Sequence, residues 1–402
     1  MKIIEDKFMP SIKKLIVIVI LPLILSSIAI AETNRLLDQD VNTKEQQNNL
    51  VQQSKVEDSN ILAKEYFNIG RSFFKLGQYQ KAIKNYDLAI KHKPDYAESY
   101  NNKGIALDDL GKYQEAIKNY DLAIKYKTDF AEAYNNKGIS YRKLEKYQEA
   151  ITLYDLAIKY QVNFADAYNN KGNALSILGK YQEAIENFDI ALKYSPYYPE
   201  AYYNKGISLM YLWQHQEAIE NYDLAIKYKP NYAESYNNKG ISLLHLGQFQ
   251  EAIKAYDLAI KYHYNHVMAY YNKAYALNIL GKYQEAIKNC DLAIKYDSNY
   301  VAAHLEKGIA LEKLGKHQEA IKNYNLAINY KADFAESYLE KGISLINLRK
   351  YQEAKKNFNL AVKYKANLIE EYEKTIIALR KLGNNRMADE FEQKLKILKN
   401  NL

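Results

Sequence analysis

Residues 63–368 repeat a single pattern every 34 positions, nine times, without an insertion or deletion. The phrase Tyr113-Gln-Glu-Ala-Ile117 recurs at Tyr147, Tyr181 and Tyr283, and with only its aromatic changed at His215, Phe249 and His317. A fixed period of that length marks a helix-turn-helix unit stacked on copies of itself. One such unit cannot bury its own apolar face, so the core forms between neighbours and each repeat leans on the next. The period therefore overrides the expectation that 402 residues divide into two or three globular domains.

The repeat at 97–130 shows how the pattern folds. Its first half places Tyr100, Gly104, Leu107 and Leu110 at helical spacing, an apolar stripe along one face. Gly111 follows, where the end of a helix favours a left-handed residue. The second half puts Tyr113, Ala116, Ile117, Tyr120, Ala123, Ile124 and Tyr126 on one broad face. Gly104, Ala116 and Ala123 are small enough to let the two helices approach closely. Asp121 precedes Lys125 by four residues, which predicts an ion pair along the helix, and Glu115 and Lys125 match the helix dipole.

This Tyr100, Gly104, Leu107, Ala116, Tyr120, Ala123 framework resembles the tetratricopeptide repeat, and Pro94, Pro196 and Pro230 fit that family's terminal proline. The resemblance implies an all-α, right-handed superhelical solenoid whose concave groove binds peptides or protein surfaces. Departures are local. Ala274 replaces the glycine, Cys290 the Tyr120-type aromatic and His304 the Tyr100-type one. Glu145, Trp213 and Arg349 take the turn glycine's place, and Lys355 stands where isoleucine is expected. The seventh repeat, with both Ala274 and Cys290, is expected to be the weakest. Residues 369–402 keep Tyr372, Leu379, Leu382, Gly383 and Ala388 but lose the rest, as a degenerate repeat acting as a C-terminal cap should.

The N-terminus has a different composition. Lys13 and Lys14 precede an apolar run that begins at Leu15 and ends in Ala29-Ile30-Ala31 before Glu32. A charged start, a short apolar middle and a small-residue exit describe a signal peptide over 1–31, which predicts an exported protein in the periplasm, at the cell surface or released. An uncleaved membrane anchor is the alternative. Residues 32–62, rich in Gln, Asn, Asp and Lys, read as a flexible polar spacer.

Candidate binding residues follow from helix phase. Glu98, Asn101, Asn102, Ile105 and Asp109 fall opposite Tyr100 and Leu107. In the tetratricopeptide architecture that face lines the groove. One column on it reads Asn68, Asn102, Asn136, Asn170, Asn204, Asn238 and Asn272, then Glu306 and Glu340. Carboxamides offer donor and acceptor together, suited to gripping a peptide backbone, and the row resembles the asparagine ladder of some peptide-binding members. The plainer alternative is a solvated column. Beside it run Ile105, Ile139, Ile207, Ile241, Ile309 and Ile343, either a partner surface or a line half-buried by neighbouring helices. The fifth repeat adds Tyr203, Met210, Tyr211 and Trp213, and with Tyr271 enriches the middle of the face in aromatic anchors. Basic residues of the kind some members use to clamp a C-terminal carboxylate are absent from the Asn101 and Asn102 columns. The column Lys103, Lys137, Lys171, Lys205, Lys239, Lys273, Lys307 and Lys341 covers the seam between repeats with its stems, or forms a phosphate stripe.

Little points to chemistry. The single Cys290 excludes an intramolecular disulfide and occupies a packed position. His263 and His266 lie in a turn without further metal ligands nearby, and no phosphate loop or nucleophile elbow appears. The net charge of +8, from 56 basic and 48 acidic residues, is too small for nucleic acid to be expected as a partner. The sequence thus predicts a non-enzymatic scaffold for a protein or peptide partner, with no cofactor or metal. A self-assembling surface protein and a nucleic-acid-binding solenoid are the alternatives.

Overall fold

The structure is a computed structural model that describes residues 21–402, so most of the expected leader lies outside the described residues. The described chain is all-α. It opens with α1 (Leu21–Lys75), α2 (Tyr79–His92), α3 (Ala97–Asp109), α4 (Tyr113–Tyr126) and α5 (Ala131–Lys143). Next come α6 (Tyr147–Tyr160), α7 (Ala165–Ile177), α8 (Tyr181–Tyr194), α9 (Pro199–Tyr211) and α10 (His215–Tyr228). Then follow α11 (Ala233–His245), α12 (Phe249–Tyr262), α13 (Val267–Ile279), α14 (Tyr283–Tyr296) and α15 (Val301–Lys313). The chain closes with α16 (His317–Tyr330), α17 (Ala335–Asn347), α18 (Tyr351–Tyr364), α19 (Leu368–Lys381) and α20 (Asn385–Asn401). Two compact units, 1–136 and 137–402, divide the chain within α5.

Residues 32–62 are helical, not the flexible spacer their composition predicts: α1 runs through them into the first repeat. No Pro or Gly interrupts positions 23–69, and Glu, Gln, Lys and Leu are good helix formers. Leu50, Val51, Val56 and Ile61 are exposed along it, and Ser59 donates to the His92 carbonyl oxygen at 2.9 Å. The expected cleavage point after Ala31 falls inside this helix. No helix among the described residues is long and apolar enough to cross a membrane.

Two devices recur along the repeats. The first is a ring set over a glycine. A Cβ on Gly104 would lie 2.5 Å from the Tyr120 ring, and one on Gly240 2.5 Å from that of Tyr256. Both rings are fully buried, so only a residue without a side chain fits above them. The second is a tyrosine that ties down the turn before it. Tyr100, Tyr202 and Tyr236 donate their hydroxyls to the carbonyls of Pro94, Pro196 and Pro230 at 3.2–3.3 Å. Each also stacks on the tyrosine that ends the second helix of its own repeat, as Tyr100 does on Tyr126 at 5.6 Å. His304 makes the same bond, Nε2 to the Ser298 carbonyl at 2.9 Å, and packs against Tyr330. That departure from the repeat pattern therefore preserves the tie.

The seams carry ion pairs between repeats. Asp87 pairs with Lys103 at 2.6 Å, sixteen residues on in the next repeat, and not along its own helix. The same crossing joins Asp155 to Lys171, Asp189 to Lys205, Asp223 to Lys239, Asp257 to Lys273 and Asp291 to Lys307 at 2.5–2.7 Å. The lysine stems do cover the seam, and their ammonium groups end on carboxylates. At the eighth junction Asn325 stands in the aspartate's place, and burial holds Lys341 below its usual pKa.

Candidate functional site

The first helices of successive repeats lie side by side, and their outward face forms a wall. In the unit 1–136 this wall includes α3. In the unit 137–402 it comprises α7, α9, α11, α13, α15 and α17. Helix phase alone places Asn101 on the open face, but Asn101, Asn169 and Asn237 are buried, because the neighbouring first helix packs over them. The Asn102 column is half-buried at Asn102, Asn136, Asn170, Asn204, Asn238 and Asn272.

The two columns bond to each other. Asn136 donates to the Asn101 Oδ1 at 3.1 Å, Asn204 to Asn169 at 3.1 Å and Asn272 to Asn237 at 2.9 Å. Where Tyr203 replaces the first asparagine, Asn238 donates to its hydroxyl at 3.2 Å. A carboxamide has two N–H donors and an acceptor, and the ladder uses both kinds, since Asn101 also donates to the Asn102 Oδ1 at 3.4 Å and Asn237 to the Asn238 Oδ1 at 3.2 Å. The row is a ladder within the wall before it is anything for a ligand.

The aromatic candidates divide. Tyr203 packs between Tyr222 and Tyr232, and burial pushes its hydroxyl up to about 12. Tyr271 is set edge-on against Tyr300 and its hydroxyl is likewise raised by burial. Both are parts of the wall. Tyr211 instead is 56% exposed and stacks on Tyr181 with ring centroids 5.0 Å apart. With Ile177, itself 50% exposed, and Asn173, Asn204 and Ile207, this pair lines an open hollow of about 310 Å³. Tyr181 escaped the sequence reading because it belongs to a second helix, where the recurring tyrosine reads as core. Ile207 and Ile241 are half-buried, as are Ile105, Ile139, Ile309 and Ile343.

Trp213 sits at a turn with φ 61°, edge-on to His215 and His245, whose rings stack 4.6 Å apart. Burial, then the facing His245, lowers the His215 pKa to about 4, so the pair packs as neutral rings. His266 is an N-cap, its Nδ1 accepting from the Ala269 N–H at 3.3 Å. Cys290 is buried.

The far half of the wall is covered by the chain's own end. The hairpin of α19 and α20 does more than close the last repeat. The Asn384 side chain donates to the carbonyls of Leu244 and His245, both at 3.1 Å, across some 140 residues of sequence. Leu379, Met387 and Ala388 join the core formed by Leu243, Leu244, Leu277 and Ile279, with Ile241 and Tyr275 packed alongside. Lys394 meets Glu340 at 2.7 Å. Beside them Glu306 is buried and accepts from the Asn278 amide at 2.6 Å, and burial raises its carboxyl to about 7. The two glutamates that end the asparagine column therefore lie beneath the tail.

Paired helices in register, a shared wall and side chains spent on packing define a helical-repeat protein. Models described as TPR repeat match 70–109 and 106–144, and models described as tetratricopeptide repeat match 131–164, 165–198, 203–261, 237–300, 281–336 and 335–368. Together they cover well over half of the sequence, and the chain belongs to the tetratricopeptide-repeat family.

Solved structures share parts of it. The structure of YrrB, described as a TPR protein with an unusual peptide-binding site, is 23% identical, with 46% of this chain and 95% of that one covered and a TM-score of 0.39. A MamA structure is 25% identical over 43% of this chain and 94% of its own, TM-score 0.37. MamA from Desulfovibrio magneticus RS-1 is 23% identical over 42% and 96%, TM-score 0.38. No curated protein matches the chain.

Proposed function

We propose that this protein is a binding scaffold that holds a partner polypeptide along the first-helix wall of its fourth and fifth repeats. The observation that carries the reading is the uncovered hollow lined by Tyr181, Tyr211, Ile177 and Ile207, with Asn173 and Asn204 beside it. A stacked tyrosine pair and two isoleucines offer apolar area to side chains, while the remaining carboxamide groups offer hydrogen bonds to a backbone. Repeat families of this kind act as interaction scaffolds, and the wall here already accepts helices of its own chain further along.

The test is affinity for whatever partner copurifies with the full chain, compared with Tyr211→Ala and Asn204→Ala. Loss of an exposed tyrosine anchor is expected to cost about 2 kcal/mol, near thirtyfold in Kd. A partner that binds all three proteins equally does not use this wall, and the reading fails.

A further inference from the structure

The tail rests on the wall in the manner of a ligand, and a poorly matched one. The wall beneath it presents three carboxylates, Glu306, Glu312 and Glu340. Glu312 is engaged by His317 at 2.8 Å, by Asn347 at 2.6 Å and by the Ser344 hydroxyl. Glu306 and Glu340 are left with one cation from the hairpin, Lys394, which also meets the hairpin's own Glu390 at 3.6 Å. Between α20 and the wall remains a space of about 370 Å³, bordered by Ile309, Ile343, Glu340, Glu390 and Lys394. The column changes from carboxamide to carboxylate at Glu306, and both of its glutamates lie beneath the tail. Burial raises the Glu306 carboxyl to about 7, as expected of an acid that lacks a cation of its own.

We propose that the wall under the tail is a docking site for an amphipathic helix of a partner protein bearing at least two lysines or arginines on its apolar edge, and that α19 and α20 hold that place until the partner displaces them. This rests on the reading of the first helices as a binding wall. The hairpin supplies the template: apolar residues against Leu244, Leu277 and Ile279, and a cation one to two turns further on. The second cation is what the hairpin lacks and Glu306 would receive.

The experiment uses the full chain. A carbodiimide cross-link between Lys394 and Glu340 reports the seated tail, since their charged atoms are 2.7 Å apart. Two synthetic peptides spanning 384–402 compete, one unaltered and one carrying Glu390→Lys. The Glu390→Lys peptide is expected to abolish the internal cross-link, and to become cross-linked to Glu306 or Glu340, at a concentration at least tenfold below the unaltered peptide. Glu306→Gln in the chain should remove that advantage, and Asn384→Ala, checked by circular dichroism for unchanged helix content, should lower the concentration needed for both peptides. Equal potency of the two peptides, retention of the internal cross-link at saturation, or cross-links formed elsewhere on the chain overturn the proposal. The readout lies at Glu306 and Glu340, so failure of the Tyr211 site leaves it intact, and its own failure leaves the Tyr211 site intact.

Discussion

At the scale of single residues, the seventh repeat is a paired exchange. Elsewhere a glycine sits over a buried ring, and at Gly308 an added Cβ would come within 2.3 Å of Tyr324. In the seventh repeat Ala274 and Cys290 stand at those two positions, and both are fully buried. A methyl group above requires a smaller side chain below. The sequence reading treats the two changes as separate losses, whereas their sizes compensate. Cys290→Tyr alone is therefore expected to destabilise the protein by about 2 kcal/mol through overpacking. Combined with Ala274→Gly it should recover most of that loss, a coupling of more than about 1 kcal/mol. Urea unfolding of the four proteins measures it, and additive effects would refute the exchange.

At the scale of elements, each first helix ends in a left-handed turn residue. Glycines such as Gly77 and Gly281 hold it at φ 69–79°, but Glu145, Trp213 and Arg349 hold it at 60–61°. For an L-residue this conformation costs roughly 1–2 kcal/mol. Glu145→Gly is expected to stabilise the protein by about 1 kcal/mol, seen as a higher unfolding midpoint; no gain would mean that the glutamate finds compensation there. Trp213 is a poorer test because its ring packs on His215 and His245. The helices themselves were legible, since period, small residues and turn glycines all recur at one spacing. The wall was legible only in part. Helix phase shows which way Asn101 points from its own axis, but not that a second helix arrives to bury it. The Asp87–Lys103 crossing escaped for the same reason, being a contact between repeats that the phase of one helix does not reveal. The tail's position was beyond any periodic signal, because Asn384 bonds to carbonyls with no pattern linking the two segments. What the sequence did show was a change of chemistry, from Asn272 to Glu306 and Glu340, at the place where the tail lands.

At the scale of the molecule, the tail makes stability depend on pH. Glu306 holds its proton up to about pH 7 in the folded chain against an ordinary 4.5, because burial outweighs Asn278 and Lys394, which favour its charge; Glu390 and Glu340 oppose that charge. Between those values the folded state binds more protons than the unfolded one, so this contribution is full below about 4.5 and is lost as pH rises through 7. Its size is on the order of 3 kcal/mol. His215, lowered from 6.5 to about 4, acts in the opposite sense and adds stability as pH rises between those values. Comparison with Glu306→Gln isolates the glutamate: the native protein should lose stability relative to this variant from pH 5 to pH 8, and a difference that does not change with pH would show that the carboxyl ionises normally. The seams bear on the history of the chain as well as its stability. At six junctions an aspartate in one copy meets a lysine sixteen places on, so a 34-residue block duplicated or lost in frame among these copies finds both partners waiting at its new borders. The number of copies can then drift between lineages at little energetic cost, while the two glutamates under the tail tie the terminal blocks to their place.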